Sequence, residues 1–176
     1  MKKMNKIALV VAGLVLSTAA LANDVIQFQG EVANQTCSVT IDGNASAPLV
    51  LLPTVPSSSL ALAGQTSGQT PFTIGLTGCT VSASITAIKT VFVGNNLTTN
   101  GRMGNTGTAG QVSLQLVDPA TPATPLDLTG QSGAAGLSLA ANATAASHIF
   151  AVRYYAEGPA TPGSVLGSVQ YAVSYQ

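Results

Sequence analysis

The chain has 176 residues with six basic and six acidic side chains, so only 7% of it is charged, against the usual quarter. It has no basic stripe that could neutralise a phosphate backbone, which removes nucleic acid as a partner. One histidine and two cysteines supply neither the closely spaced ligands of a zinc site nor a second base for a nucleophile, so no metal, cofactor or catalytic residue is expected.

The first predicted element is a targeting segment. Lys2, Lys3 and Lys6 precede an apolar run over 7–16 that only Gly13 interrupts, and small residues ending in Ala20-Leu21-Ala22 follow. This is the order of a secretory signal peptide, with cleavage after Ala22 and Ala19 as the alternative. The run is shorter than the roughly 20 residues that a spanning helix needs. Removing 1–22 leaves Lys89, Arg102 and Arg153 against Asp24, Glu31, Asp42, Asp118, Asp127 and Glu157, a net charge of −3. A surface this poor in charge suggests burial against other copies. The remaining 154 residues suit one domain.

The rest reads as strands and turns. Residues 25–41 form a long extended stretch, with Ile26, Phe28, Gly30 and Val32 on one face. Asp42-Gly43-Asn44 is a turn, 49–52 a short apolar strand stopped by Pro53, and 56–69 a Ser- and Gly-rich loop. Alternation resumes at Phe72 and leads into Cys79; 84–93 holds one or two further strands. Five glycines and four asparagines over 94–110 predict a long flexible loop. Residues 112–117 alternate again and end at Asp118-Pro119, with turns expected at 121–125 and 130–136. Residues 134–146 are Ala-rich enough for a turn of helix. A strand over 149–155 places Phe150, Val152 and Tyr154 on one face, 158–163 is a turn, and 165–176 is the last strand. Short strands at this spacing predict an all-β sandwich of two antiparallel sheets.

Cys37 and Cys79, an even count in an exported chain, predict a disulfide. Closing a loop of about 40 residues stabilises the fold by about 4 kcal/mol in the chain-entropy picture. A pair of reduced buried thiols is the alternative. His148, beside Ile149-Phe150, reads as structural, and Asp118 and Asp127 as turn residues rather than a catalytic pair.

In the last strand, Val165, Gly167, Val169, Tyr171, Val173 and Tyr175 share a face, and Tyr175 is the penultimate residue. On pattern alone this fits an ordinary strand of a complete sandwich as well as a strand lacking a neighbour. Several pieces, in order, favour the second. They are Phe28-Gln29-Gly30-Glu31-Val32 ahead of Cys37, Cys79, Arg153-Tyr154-Tyr155, Ala160-Thr161-Pro162-Gly163, and the Gly163 to Tyr175 ending. In these the chain resembles the chaperone–usher pilus subunits, most of all the type 1-type fimbrial pilins.

The resemblance implies an incomplete immunoglobulin-like β-sandwich, completed by a donor strand from a neighbouring subunit. It implies a structural role in a fimbria that supports cell adhesion, outside the cell after passage through the periplasm. It divides the chain into a signal (1–22), a donor extension (23–29) and a pilin domain (30–176). Ile26, Phe28 and Gly30 would fill a neighbour's groove. Gly163, Val169, Tyr171, Val173 and Tyr175 would line this subunit's own groove and pair with a periplasmic chaperone. An outer-membrane usher and further subunits, as a homopolymer, complete the partners. An extension this short, with Asp24 where the family often has Gly, keeps open a minor, adaptor or adhesive subunit that binds a host receptor.

Overall fold

The computed structural model describes residues 37–46 and 48–176; the expected signal and donor segments, with Ile26, Phe28 and Gly30, lie outside the described residues. Among the described residues, eight strands form two sheets. They are β1 (Ser38–Ile41), β2 (Thr66–Thr77), β3 (Thr86–Gly94), β4 (Met103–Gly104), β5 (Val112–Val117), β6 (Thr129–Leu139), β7 (Ala146–Ala156) and β8 (Val169–Tyr175). One sheet has the order β1-β2-β7-β5-β4 and the other β6-β3-β8, and every pairing among them is antiparallel.

The alternation along each strand decides which side chains meet between the sheets. Phe72, Ile74 and Leu76 of β2 and Phe150 and Val152 of β7 form one inner layer. Ile88 and Phe92 of β3 and Leu137 and Leu139 of β6 form the other. The layers lock where Phe92 meets Phe150 edge-on at 5.3 Å between ring centroids, both rings fully buried. Such a pair adds about 0.5–1.5 kcal/mol beyond its buried area.

Cys37 and Cys79 are joined as a disulfide that ties the residue before β1 to the end of β2, where Ser38 already faces Thr77. The registers place β3's start, β7's start and β8's end at this disulfide pole, where the Cys37 N–H donates to the Tyr175 hydroxyl at 3.3 Å. The starts of β2, β5 and β8 and the end of β7 lie at the far pole.

Several local expectations are corrected. Residues 49–52 form no strand, although Val50 and Leu52 turn inward while Leu49 and Leu51 are exposed. Pro48 and Pro53 bracket this run, and a proline cannot donate to a ladder. The predicted loop over 56–69 holds a 3-10 helix (Ser57–Leu60), and β2 already begins at Thr66. The loop over 94–110 contains β4, whose Met103 is buried. Residues 130–136 are not a turn, nor is there helix over 134–146. Residues 130–136 lie within β6, as do 134–139 of the Ala-rich stretch, while 140–145 form the loop to β7; β6's pairing with β3 shifts register twice, and glycine fits such irregularities. Gly136, at φ +112°, is required there because the His148 ring occupies the space a Cβ would take. β5 is buried on both faces because the following loop folds over it. Leu126 N–H donates to the Leu116 carbonyl, and Arg153 donates to both Gln115 Oε1 and the Pro122 carbonyl.

Asp127 organises the entry to β6. Its Oδ1 accepts from the Thr129 N–H and hydroxyl at 2.8 and 2.6 Å, and its Oδ2 from the Ser132 N–H and hydroxyl, both at 2.8 Å. Burial raises the carboxyl pKa, but the hydrogen bonds from Thr129 and Ser132 together outweigh it and bring the value down to about 2. The folded pKa lies below the unfolded one, so this stabilisation is present above about pH 4 and lost as the pH falls toward 2. Asp127→Ala is expected to cost about 1–2 kcal/mol at pH 6 in guanidinium unfolding. Relative to wild type, the cost shrinks at pH 2.5; an undiminished cost there would refute the assignment.

Candidate functional site

β8 is an edge strand. It pairs with β3 from Ile88↔Tyr175 to Gly94↔Val169, and among the described residues no strand pairs with its other side. Gln176 N–H donates to the Ala87 carbonyl and Ser168 C=O accepts from Asn95, so even-numbered residues direct their backbone groups at β3. By alternation, Val169, Tyr171 and Val173 turn N–H and C=O toward the open side. The same residues, with Tyr175, turn their side chains onto the core. One row of residues therefore offers both the ladder groups and the apolar side chains that a further strand would use.

Across from β8 runs the segment that failed to become a strand. Pro48, Leu49, Val50 and Leu52 form one wall of a groove, and Gly167, Val169 and Tyr171 the other. Phe72, Phe92, Met103, Leu114, Leu116 and Val152 supply its floor. The cavity between the walls measures about 220 Å³. Gly167 is needed at the mouth, because a Cβ there would press on Met103 Sδ and Leu114. The sequence reading missed the 48–52 wall. The signal was present in the alternation of Val50 and Leu52 with Leu49 and Leu51.

Of the predicted groove residues, Val169, Tyr171, Val173 and Tyr175 lie on one inward face of β8. Gly163 does not join them, since β8 starts six residues later, at Val169, and the expected strand over 165–176 is shorter at both ends. Gly163 packs on the backbone of Thr108 and Ala109, where any Cβ would collide. Residues 164–166 are held there by the neighbouring loop: Ala109 N–H donates to Ser164 C=O, Thr106 N–H to Leu166 C=O, and Leu166 N–H to Asn105 Oδ1. Those bonds keep the segment from the β3 ladder until Ser168.

The charges are occupied elsewhere. Arg102 lies 3.2 Å from Glu157 and 3.8 Å above the Tyr155 ring, and Ser113 donates to the same Glu157 at 2.7 Å. His148 Nε2 lies 2.9 Å from Asp118 Oδ2, and its ring meets Phe150 edge-on at 4.7 Å, a structural tie between β7 and the loop after β5. The Ala120 N–H, and then His148 against the opposing effect of burial, hold the Asp118 carboxyl below its usual range. Tyr154 donates its hydroxyl to the Pro53 carbonyl, anchoring the 48–52 wall, and burial raises its pKa. The groove itself is apolar and uncharged.

A family model described as fimbrial protein matches residues 26–176. The chain belongs to this family. Among its relatives, the F17 fimbrial protein of Escherichia coli is 37% identical, over 91% of this chain and 92% of that one. The major fimbrial subunit SMF-1 of Stenotrophomonas maltophilia (strain K279a) is 33% identical, over 89% and 95%. Two solved structures share the fold at 14% identity. One is the P pilus rod subunit PapA, with a TM-score of 0.58, covering 79% of this chain and 99% of that one. The other is a chain of a chaperone–usher pilus, with a TM-score of 0.60 and coverage of 91% and 99%. This fimbrial subunit is thus an immunoglobulin-like β-sandwich and a structural component of a bacterial surface fimbria.

Proposed function

We propose that the groove beside β8 is filled by the N-terminal segment of the next subunit, and that head-to-tail repetition of this step builds the fibre. The observation that carries it is the doubled role of Val169 and Tyr171, whose backbone groups face an open edge while their side chains line an apolar cavity, with Val173 next on the same inward face. Strand addition to such an edge draws affinity from backbone hydrogen bonds and specificity from alternate side chains. The donor is 23–29, with Ile26 and Phe28 inward and Gly30 following on the same face. Each large side chain contributes about 1.5–3 kcal/mol on full burial. All described pairings are antiparallel, so the added strand also runs antiparallel to β8.

An exposed apolar groove and an unpaired edge invite aggregation before assembly. A periplasmic chaperone therefore covers the groove after residues 1–22 are removed, and an outer-membrane usher exchanges it for the next subunit. The product is a homopolymeric rod that supports adhesion, and the subunit has no catalytic role.

The test is a synthetic peptide of residues 23–36 added to the subunit–chaperone complex. It is expected to displace the chaperone and form a one-to-one complex, whereas the same peptide with Phe28→Asp does not. Failure of the unmodified peptide to be captured overturns the reading.

A further inference from the structure

The groove is not the only apolar recess. A second cavity of about 330 Å³ opens at the far pole, floored by Leu60, Val112 and Val165 and rimmed by Ser57, Thr161 and Ser164. Its two sides continue the groove's own walls, residues 54–57 extending 48–52 and residues 160–165 leading into β8. Leu62 and Leu166 are also exposed at this pole, at 65% and 58%. The opposite pole carries a matching feature. Val81 and Ile85, on the loop between Cys79 and β3, are 58% and 72% exposed.

The polarity of the added strand brings these two surfaces together. A donor antiparallel to β8 has its N-terminal end beside Tyr175 and leaves the groove beside Val169, at the far pole. Six residues lie between Gly30 and Cys37, and the seven steps reach at most about 25 Å when fully extended. The donor's disulfide pole, with Val81 and Ile85 next to Cys79, is thereby confined to the neighbourhood of the second cavity.

We infer that the second cavity is a docking site for another copy of this chain, taking the loop that carries Val81 and Ile85 of the donor subunit. The contact is heterologous, one patch meeting a different one, and so propagates along a fibre without closing. It rests on the strand-exchange reading and adds a body-to-body contact beyond the strand itself. Burying exposed apolar side chains on both poles also accounts for their survival on a protein with so little charge to keep it soluble.

The experiment uses two exposed positions outside the groove, Ile85 on the loop and Ser57 on the cavity rim. Fibres of the like-charged variant Ile85→Asp/Ser57→Asp are compared with those of the opposite-charged variant Ile85→Asp/Ser57→Lys. Chaperone-complex yield serves as the folding control. The like-charged fibre is expected to dissociate in guanidinium at least tenfold faster, or to fail to form while its chaperone complex is normal. Equal dissociation of the two variants would overturn the docking contact. The 23–36 peptide separates the two levels. Its capture by both variants leaves strand exchange standing whatever the fibres do, and its failure on the wild-type subunit removes both readings.

Discussion

Phe28→Asp is expected to leave the subunit folded on its chaperone and to abolish the fibre. Phe28 stands nine residues before Cys37, and on the proposed reading it shares the inward face of the donor extension with Ile26. In a neighbour's groove it meets a floor of Phe72, Phe92, Leu114 and Leu116, with no cation and no polar side chain among them. Losing the ring forfeits about 1.5–3 kcal/mol. Placing an unpaired carboxylate in that apolar site costs several kcal/mol more unless it takes up a proton. At 1.4 kcal/mol per tenfold, the exchange weakens by about a thousandfold or more. On the proposed reading the chaperone occupies the subunit's own groove and has no need of its extension, so the chaperone complex is expected to persist. Gln27→Asp, on the opposite face, is expected to reduce assembly less than about tenfold. The measurement is paired: chaperone co-purification and surface fibre from cells carrying each variant. Normal fibres from Phe28→Asp, or loss of its chaperone complex, would remove the donor assignment.

The parts of this architecture that were legible in the sequence are those governed by local pattern. The two-residue period of β2, β5, β7 and β8 and the turn at Asp42-Gly43, where both residues adopt positive φ, could be read from neighbours in the chain. The disulfide followed from two cysteines in an exported protein. What escaped depends on partners distant in sequence. Residues 49–52 alternate like a strand, yet form none. Residues 130–136 are rich in glycine and read as a turn, yet β3 supplies a ladder that bulges around them. The start of β8 was placed too early because Val165 does face the core, but Asn105 and Thr106 hold the preceding backbone away from β3. The groove's inner row along β8 was visible as alternation. Its second wall was not, because a segment outside the named strands leaves only the faint trace of Val50 and Leu52 between two prolines.

Tyr171→Asp is expected to fail one step earlier than Phe28→Asp, with no chaperone complex at all. Tyr171 lies opposite Phe92 in the β3–β8 ladder and lines the groove beside Val169, packed on the core. An aspartate here removes a ring that the core, the chaperone's strand and the donor strand would all contact. It also puts a carboxylate on the inward face of an apolar groove whose lining carries no cation. The combined loss is about 4 kcal/mol or more, comparable with the whole stability of a marginal domain. The subunit is therefore degraded or aggregates before capture, and co-purification with the chaperone falls by more than about a hundredfold. Ala172→Asp supplies the control, because Ala172 sits next in the same strand, opposite Val91, on the exposed face. It changes the charge by the same amount without entering the core, and its chaperone complex is expected within about twofold of wild type. A Tyr171→Asp complex recovered at wild-type yield would mean that β8's inward face does not line the groove through which the subunit is held. Equal loss from both variants would point instead to the strand's backbone or its net charge.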